Sequence, residues 1–385
     1  MFEPKNLIFE QGPIRPPSEA ASLLLRFTRN CPWNKCSFCP VYKGSDFSRR
    51  SLNDIKGDID TVAEIVRDLR SFSFELGEGG EISRRVIGAL HAAPRANSSY
   101  RQVAFWLYRG QGSVFVQDAN SLVLPSSTLI EAICYLREKI PGIRRITSYA
   151  RSSSLAKKSI SELTEIRKAG LDRIHIGMES GSDRVLEFVK KGVTAKKQIE
   201  AGTKVIFAGM ELSEYIMPGL GGKMCSEDHA RESARVLNEI NPHFIRLRTL
   251  RVPPRIPLFK DLQEGRFEKL SDDETVAEIR LFISCIEGIS SRLTSDHIMN
   301  LLEQIEGTFP DGKDALLAVI DRYLALPPEE KLLFRLGRRG GGLRSLDELE
   351  NPFTRGKLMT AMNELTAQTD GNIEKLITEL GDQYI

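Results

Sequence analysis

Six short apolar runs, each followed by a helix-spaced stretch, leave this chain few folds to choose from. The runs are residues 22–28 (SLLLRFT), 113–117 (SVFVQ), 145–149, 173–178 (RIHIGM), 211–217 and 244–250 (FIRLRTL). Between them apolar residues recur at helical spacing, as at Ile55, Ile59, Val62, Ile65, Val66 and Leu69. Helix ends are marked as well. Pro125 and Ser127 open one helix, Ser159 and Glu162 form a capping box, Gly170 stops that helix, and Ser226 opens another. Strands alternating with helices predict an α/β fold with a parallel sheet and right-handed crossovers. Six units are too few to close the usual eight-fold barrel.

Outside these units the pattern changes. Residues 1–21 are Pro-rich and read as an extended lead-in. Residues 72–112, with Gly77, Gly79, Gly80 and two short helices, read as an insertion into a core spanning 22–255. After Pro253 and Pro254, a capping box at Ser271 and Glu274 opens a long helix to about residue 292. Helical spacing continues over 297–306 and 316–326, and a last helix covers 372–380. The expectation is an all-helical extension over 256–385, with Arg338 and Arg339 in a solvated turn before three glycines.

The loop after the first strand carries Cys31, Cys36 and Cys39 within nine residues, spaced C-x4-C-x2-C. Three thiolates that close suit one soft metal centre, whereas a disulfide between two would leave the third unpaired. An iron–sulfur cube takes thiolate ligands on its irons, and three cysteines would leave one iron of a [4Fe-4S] cube open. The other reading is a three-cysteine zinc knuckle completed by a distant ligand, although no His or Cys follows at zinc-finger spacing.

This loop resembles the cluster loop of the radical S-adenosylmethionine (radical SAM) superfamily. That superfamily usually has C-x3-C-x2-C with an aromatic residue before the last cysteine, and Phe38 stands in that place. The extra residue between Cys31 and Cys36 is a departure, which leaves the subfamily open. Over about residues 22–250 the chain is similar to the oxygen-independent coproporphyrinogen oxidase-like group. The resemblance implies an open (β/α)6 partial TIM-type barrel, a [4Fe-4S] cluster on Cys31, Cys36 and Cys39, and S-adenosylmethionine bound at the carboxyl ends of the strands.

On that basis the strand ends offer cofactor contacts. After the second strand, Asp118 stands where the superfamily contacts the methionine amino group; an Asx turn is the alternative. After the third, Arg151 is placed for the methionine carboxylate, against the alternative of a surface arginine. Gly177 to Gly181 resembles a G-x-E-S/T-G segment, with Glu179 and Ser180 toward the ribose or amino group. Pro218 and Gly219 fall in the segment that lies along the adenine, where glycine permits close backbone approach.

Strand alternation puts His175 on the same face as Glu179, deeper in the sheet, as a catalytic candidate, with a hydrogen-bonded core histidine the plainer reading. Arg246 and Arg248 share one face of the sixth strand, suited to a carboxylate or phosphate or to pairing with helix carboxylates. Asp296 and His297, in the extension, offer an acid–base pair at the barrel mouth, against the commoner readings of a helix cap or a surface pair.

A net charge of +2 gives no strong field for nucleic acid, and no run approaches a membrane span. Six cysteines with three clustered, and a start without signal-peptide order, point to a reducing, cytoplasmic setting. Nothing resembles a cobalamin-binding domain before the core or an RNA-binding barrel after it. The resemblance then implies reductive cleavage of S-adenosylmethionine to a 5′-deoxyadenosyl radical that takes hydrogen from a small molecule, with an electron donor such as flavodoxin or ferredoxin. The alternatives are a zinc- or cluster-stapled interaction protein and a radical SAM enzyme acting on RNA.

Overall fold

A computed structural model describes residues 4–368 and 373–382, so the start expected for the last helix, at residue 372, lies outside the described residues. In chain order the elements begin with β1 (Leu23–Arg26), β2 (Thr28–Arg29), β3 (Ser48–Arg49), α1 (Leu52–Glu75), α2 (Arg84–Ala92), α3 (Ser98–Arg109), β4 (Ser113–Gln117), α4 (Ser126–Lys139) and β5 (Arg145–Ala150). They continue with α5 (Ser152–Leu155), α6 (Ile160–Ala169), β6 (Arg173–Glu179), α7 (Asp183–Phe188), α8 (Ala195–Phe207), β7 (Glu211–Ile216), α9 (Gly222–Ile240) and β8 (Phe244–Leu247). The last are α10 (Pro257–Gln263), α11 (Asp272–Ser284), β9 (Arg292–Thr294), β10 (Glu306–Thr308), α12 (Lys313–Leu324), α13 (Pro328–Arg339), α14 (Pro352–Gln368) and α15 (Ile373–Asp382). Eight strands follow one mostly parallel order, β1-β4-β5-β6-β7-β8-β9-β10, and its two ends do not pair, so this α/β sheet is open rather than a closed barrel.

The chain divides into two compact units, the first comprising the chain through Asn34, Val41–Ile176 and Thr203–Leu212. In it β1, β4, β5 and β6 run parallel, with Leu25 beside Val116, Phe115 beside Thr147 and Tyr149 beside His175. Leu23, Leu25, Val114, Phe115, Ile146 and Ile174 are all buried, which is why these strands read as near-continuous apolar runs. Helix α1 starts at Ser51, whose side chain accepts from the Asp54 N–H, and buries the expected stripe from Ile55 to Leu69. Each such side chain contributes about 1.5–3 kcal/mol on burial. The α6 capping box forms, and Gly170 ends the helix at φ +118°, a conformation that favours glycine. The lead-in is pinned: the Gln117 amide accepts from the Gly12 N–H at 2.8 Å and donates to the carbonyls of Gly12 and Ile14.

The second unit comprises Lys35–Pro40, Gly177–Gly202 and the chain from Ser213 on. Here β7, β8 and β9 are parallel, with Tyr215 beside Arg246 and Arg246 beside Thr294, and β10 returns antiparallel to β9. This corrects the helical reading of 297–306: α11 stops at Ser284, and residues 292–308 contain two short strands instead. The apolar residues from Ile298 to Ile305 mimic helical spacing, but Asn300 captures the end of β8. Its amide donates to the Leu247 carbonyl (2.8 Å) and accepts from the Thr249 N–H (2.9 Å), and those bonds hold the segment in turns. Helices surround this part of the sheet, α11 packing on α9 and α12, while Leu336, Ile373 and Ile377 anchor a core between α13 and α15.

The solvated turn expected at Arg338 and Arg339 is also corrected, because both are buried in the last turn of α13. Arg338 pairs with Glu303 at 3.1 Å and Arg339 with Asp272 at 2.7 Å, and Arg339 also donates to the Met299 carbonyl. Burial alone would raise the Asp272 carboxyl, yet Arg339 and Arg251 hold it below the usual range. Arg339→Met leaves Asp272 buried without this partner and should lower stability by about 3–5 kcal/mol, read as a lower urea midpoint at unchanged slope. A midpoint equal to wild type would show the pair to be dispensable.

Candidate functional site

In the first unit the approach to Cys31 is built on one carboxylate. Asp118, just past β4, is fully buried and accepts from Arg26 at 2.7 and 3.1 Å, from the Asn30 N–H at 3.0 Å and from the Tyr42 hydroxyl at 2.5 Å. Asn30 immediately precedes Cys31 and takes φ +66°. Arg26 also pairs with Glu10, which is shared with Arg29 and Arg50. Burial opposes the Glu10 charge, but these three arginines hold its carboxyl below the usual range. Asn34, at φ +46°, donates to the carbonyls of Tyr42 and Ser45, and Lys43 donates to its carbonyl. Arg151, the residue before α5, stands over the ring of Trp33 at 5.1 Å. His175 is fully buried against Phe115 and Tyr149, with its Nε2 3.8 Å from buried Glu19.

Asp118 thus braces the chain on either side of the cysteines, a use that the sequence reading did not foresee. Glu10 and Glu19 were missed altogether. Their only signal was a charged residue within an otherwise apolar or Pro-rich stretch.

In the second unit, Cys36 is buried and Cys39 half-buried, joined by a turn in which the Cys39 N–H donates to the Cys36 carbonyl at 3.5 Å. Between them the Ser37 N–H donates to the Val189 carbonyl after α7, and the Ser37 carbonyl accepts from Leu258 of α10. Phe38 is buried, with the Lys191 ammonium over its ring at 5.7 Å. Lys191 pairs with Glu179 at 3.1 Å. Glu179 takes φ +65°, a strained conformation for a side-chain-bearing residue. Its carboxylate lies 2.2 Å from where a Cβ on residue 177 would stand, so a side chain there would displace the Glu179 carboxylate from its present position.

Ser180 is fully buried and bonded to His229 Nδ1 at 2.8 Å, and the Gly181 N–H donates to Ser233. Gly219 takes φ +88° and donates its N–H to Glu278 at 2.7 Å, while the Pro218 carbonyl accepts from Leu250. Glu214 on β7 is fully buried, and its Oε2 has no hydrogen-bond partner among the described residues. Burial pushes its carboxyl well above the usual range; Lys191 opposes that rise and Glu179 adds to it.

The two arginines of the sixth expected strand part company. Arg246 is buried and committed, donating to Ser213, Thr294 and Asp296, the last at 3.0 Å. Arg248 is half-buried, and after burial its charge is what lowers the His297 ring, to about 4. All six cysteines are free thiols, and among the described residues no group of three or more His, Cys, Asp or Glu side chains is gathered around a single metal ion. The donor set of the loop, three free thiols on irregular backbone, fits a cluster that spreads its ligands over separate irons. No described helix is long and apolar enough to cross a membrane.

No family model matches the chain. Over 116 residues it is 22% identical to a tRNA uridine(34) acetyltransferase of Methanocaldococcus jannaschii, a match covering 30% of this chain. The match spans about a fifth of that relative's length, 21%. Among solved structures the chain is similar to coproporphyrinogen III oxidase from Escherichia coli, a radical SAM enzyme. That likeness has 13% identity and a TM-score of 0.44, covering 68% of this chain and 51% of that one. It is also similar to methylornithine synthase, with 14% identity, a TM-score of 0.42 and coverage of 77% and 69%.

Asp118→Ala strips the buried Arg26 of its main partner and frees the Asn30 N–H. It should cost about 3 kcal/mol of stability and lower the iron retained per chain after anaerobic reconstitution. If Asp118 served only as a cofactor contact, stability and iron content would both match wild type.

Proposed function

We propose that this chain is a radical SAM enzyme that holds a [4Fe-4S] cluster on Cys31, Cys36 and Cys39. The observation that carries the reading is the set of three free, partly covered thiols on one irregular loop after a parallel strand. When bound, such a cluster supplies an electron that cleaves S-adenosylmethionine and so provides a radical able to take hydrogen from an unactivated carbon. The rest of the assignment concerns this chain's own groups.

Glu179, held by Lys191 and by its strained backbone, would accept from the cofactor's hydroxyl or ammonium groups. Arg151, half-buried over Trp33, would meet the methionine carboxylate. Ser180, committed to His229, fixes the turn after Glu179, and Gly219 at φ +88°, its N–H held by Glu278, would lie along the adenine. Buried Phe38 closes the apolar side of the cysteine loop and helps exclude water. Asp118 is a positioning residue for the loop. The electron would come from a small carrier such as a flavodoxin or ferredoxin.

An RNA substrate is the second reading, favoured by the local similarity to the tRNA uridine(34) acetyltransferase. The net charge of +2 favours a small molecule. Binding of tRNA that weakens steeply with salt would decide for RNA.

Anaerobic reconstitution should give iron and sulfide near four per chain, on the order expected of one cube. With a chemical reductant, wild type should form 5′-deoxyadenosine, and alanine at Cys31, Cys36 or Cys39 should abolish it. Glu179→Ala should weaken S-adenosylmethionine binding about tenfold, a change of ~1.4 kcal/mol, at normal iron content. Cleavage retained by all three cysteine variants, or one zinc without iron, would defeat the assignment.

A further inference from the structure

We infer that Arg248 and His297 form a carboxylate-recognition subsite for the substrate at the carboxyl ends of β8 and β9. The identity of the bound group as substrate rests on the functional reading above; the subsite itself rests on the strand geometry. Arg246 pairs with Asp296 at 3.0 Å, and the Asn300 amide bonds the Leu247 carbonyl and the Thr249 N–H, so residues 296–300, His297 among them, lie alongside the end of β8 that carries Arg248. In open parallel α/β sheets this is the end at which ligands bind.

The ladder continues past the formal end of β8. Arg248 donates its N–H to the Ile216 carbonyl at 3.0 Å, and Thr249 is clamped by Asn300. The backbone that presents Arg248 is therefore fixed before any ligand arrives, which lowers the cost of binding. Two strands away, the Glu179 carbonyl accepts from Met217 at 3.0 Å. Two strand spacings place Arg248 roughly 10 Å from that residue, a separation a small substrate can span.

The two arginines divide the work. Arg246 spends its charge on Asp296. Among the described residues no carboxylate or carbonyl is bonded to the Arg248 guanidinium, so its charge and its donors remain available. His297 Nδ1 accepts from the Met299 N–H at 3.2 Å, which puts the proton of the neutral ring on Nε2 as a further donor. Burial and then the Arg248 charge push His297 down to about 4, so the ring is neutral at pH 7.

One cationic fork and one neutral N–H donor match a monoanion that accepts in a plane, which describes a carboxylate. A phosphate dianion would carry an unmatched charge beside the half-exposed Asp296.

The test uses the full chain without cofactor, so that it is independent of cluster chemistry. Saturation-transfer NMR with sodium propionate should show binding to wild type. The effect should fall at least fivefold in Arg248→Gln, about twofold to threefold in His297→Asn, and to an intermediate level in Arg248→Lys, which keeps the charge and loses the planar fork; Arg255→Gln, an exposed control, should match wild type. Circular dichroism melting checks that each variant is folded, and Arg248→Lys preserves the test should the Gln variant not fold. No transfer to wild type, equal transfer to Arg248→Gln, or equal loss in Arg255→Gln would overturn the subsite. Inorganic phosphate that binds more tightly than propionate would overturn the carboxylate assignment. Failure here with 5′-deoxyadenosine still formed by the reconstituted enzyme would leave the radical reading standing, and the converse result would leave the subsite standing.

Discussion

The carboxylate of Asp118 is the constraint on which the start of the cysteine loop depends. A fully buried charge is tolerated only when its oxygens are satisfied, and here four donors from Arg26, Asn30 and Tyr42 do so. Three of those donors lie before Cys31 in sequence and one lies beyond Cys39. A single side chain at the end of β4 thus fixes two stretches of the loop that carries the thiols. Glu10 adds a second anion to Arg26 and ties the lead-in to Arg29 and Arg50 as well.

The second unit uses buried carboxylates in a similar way. Glu278 takes the Gly219 N–H and the Ser226 hydroxyl, holding the glycine-rich turn after β7 open. Glu179 takes Lys191, which in turn covers Phe38. Glu214 is the exception, a buried carboxyl that burial pushes well above the usual range. A carboxyl buried without a partner is less costly protonated than charged.

Much of this fold was legible from pattern. The parallel strands, the α1 stripe and the capping boxes at Ser159 and Ser271 appear where periodicity and cap chemistry put them. The errors share one cause. Residues 297–306 and Arg338–Arg339 were judged by local spacing and average exposure, and both were decided by distant partners: Asn300 bonding across to β8, and Asp272 and Glu303 burying two arginines. Local propensity is a weak prior where a tertiary hydrogen bond is at stake.

By itself the sequence determined the alternation of strands and helices, the clustering of three thiols, and the glycines that permit Glu179 and the turn after β7 their conformations. These follow from the chemistry of residues near one another in the chain. Only the tertiary structure decided which charges are spent and which are free. It added β9 to the sheet, paired Arg246 with Asp296, and left Arg248 beside a neutral His297. The partners in those pairs are some fifty residues apart, the 246–296 contact spanning 50 positions, and no local pattern encodes that choice.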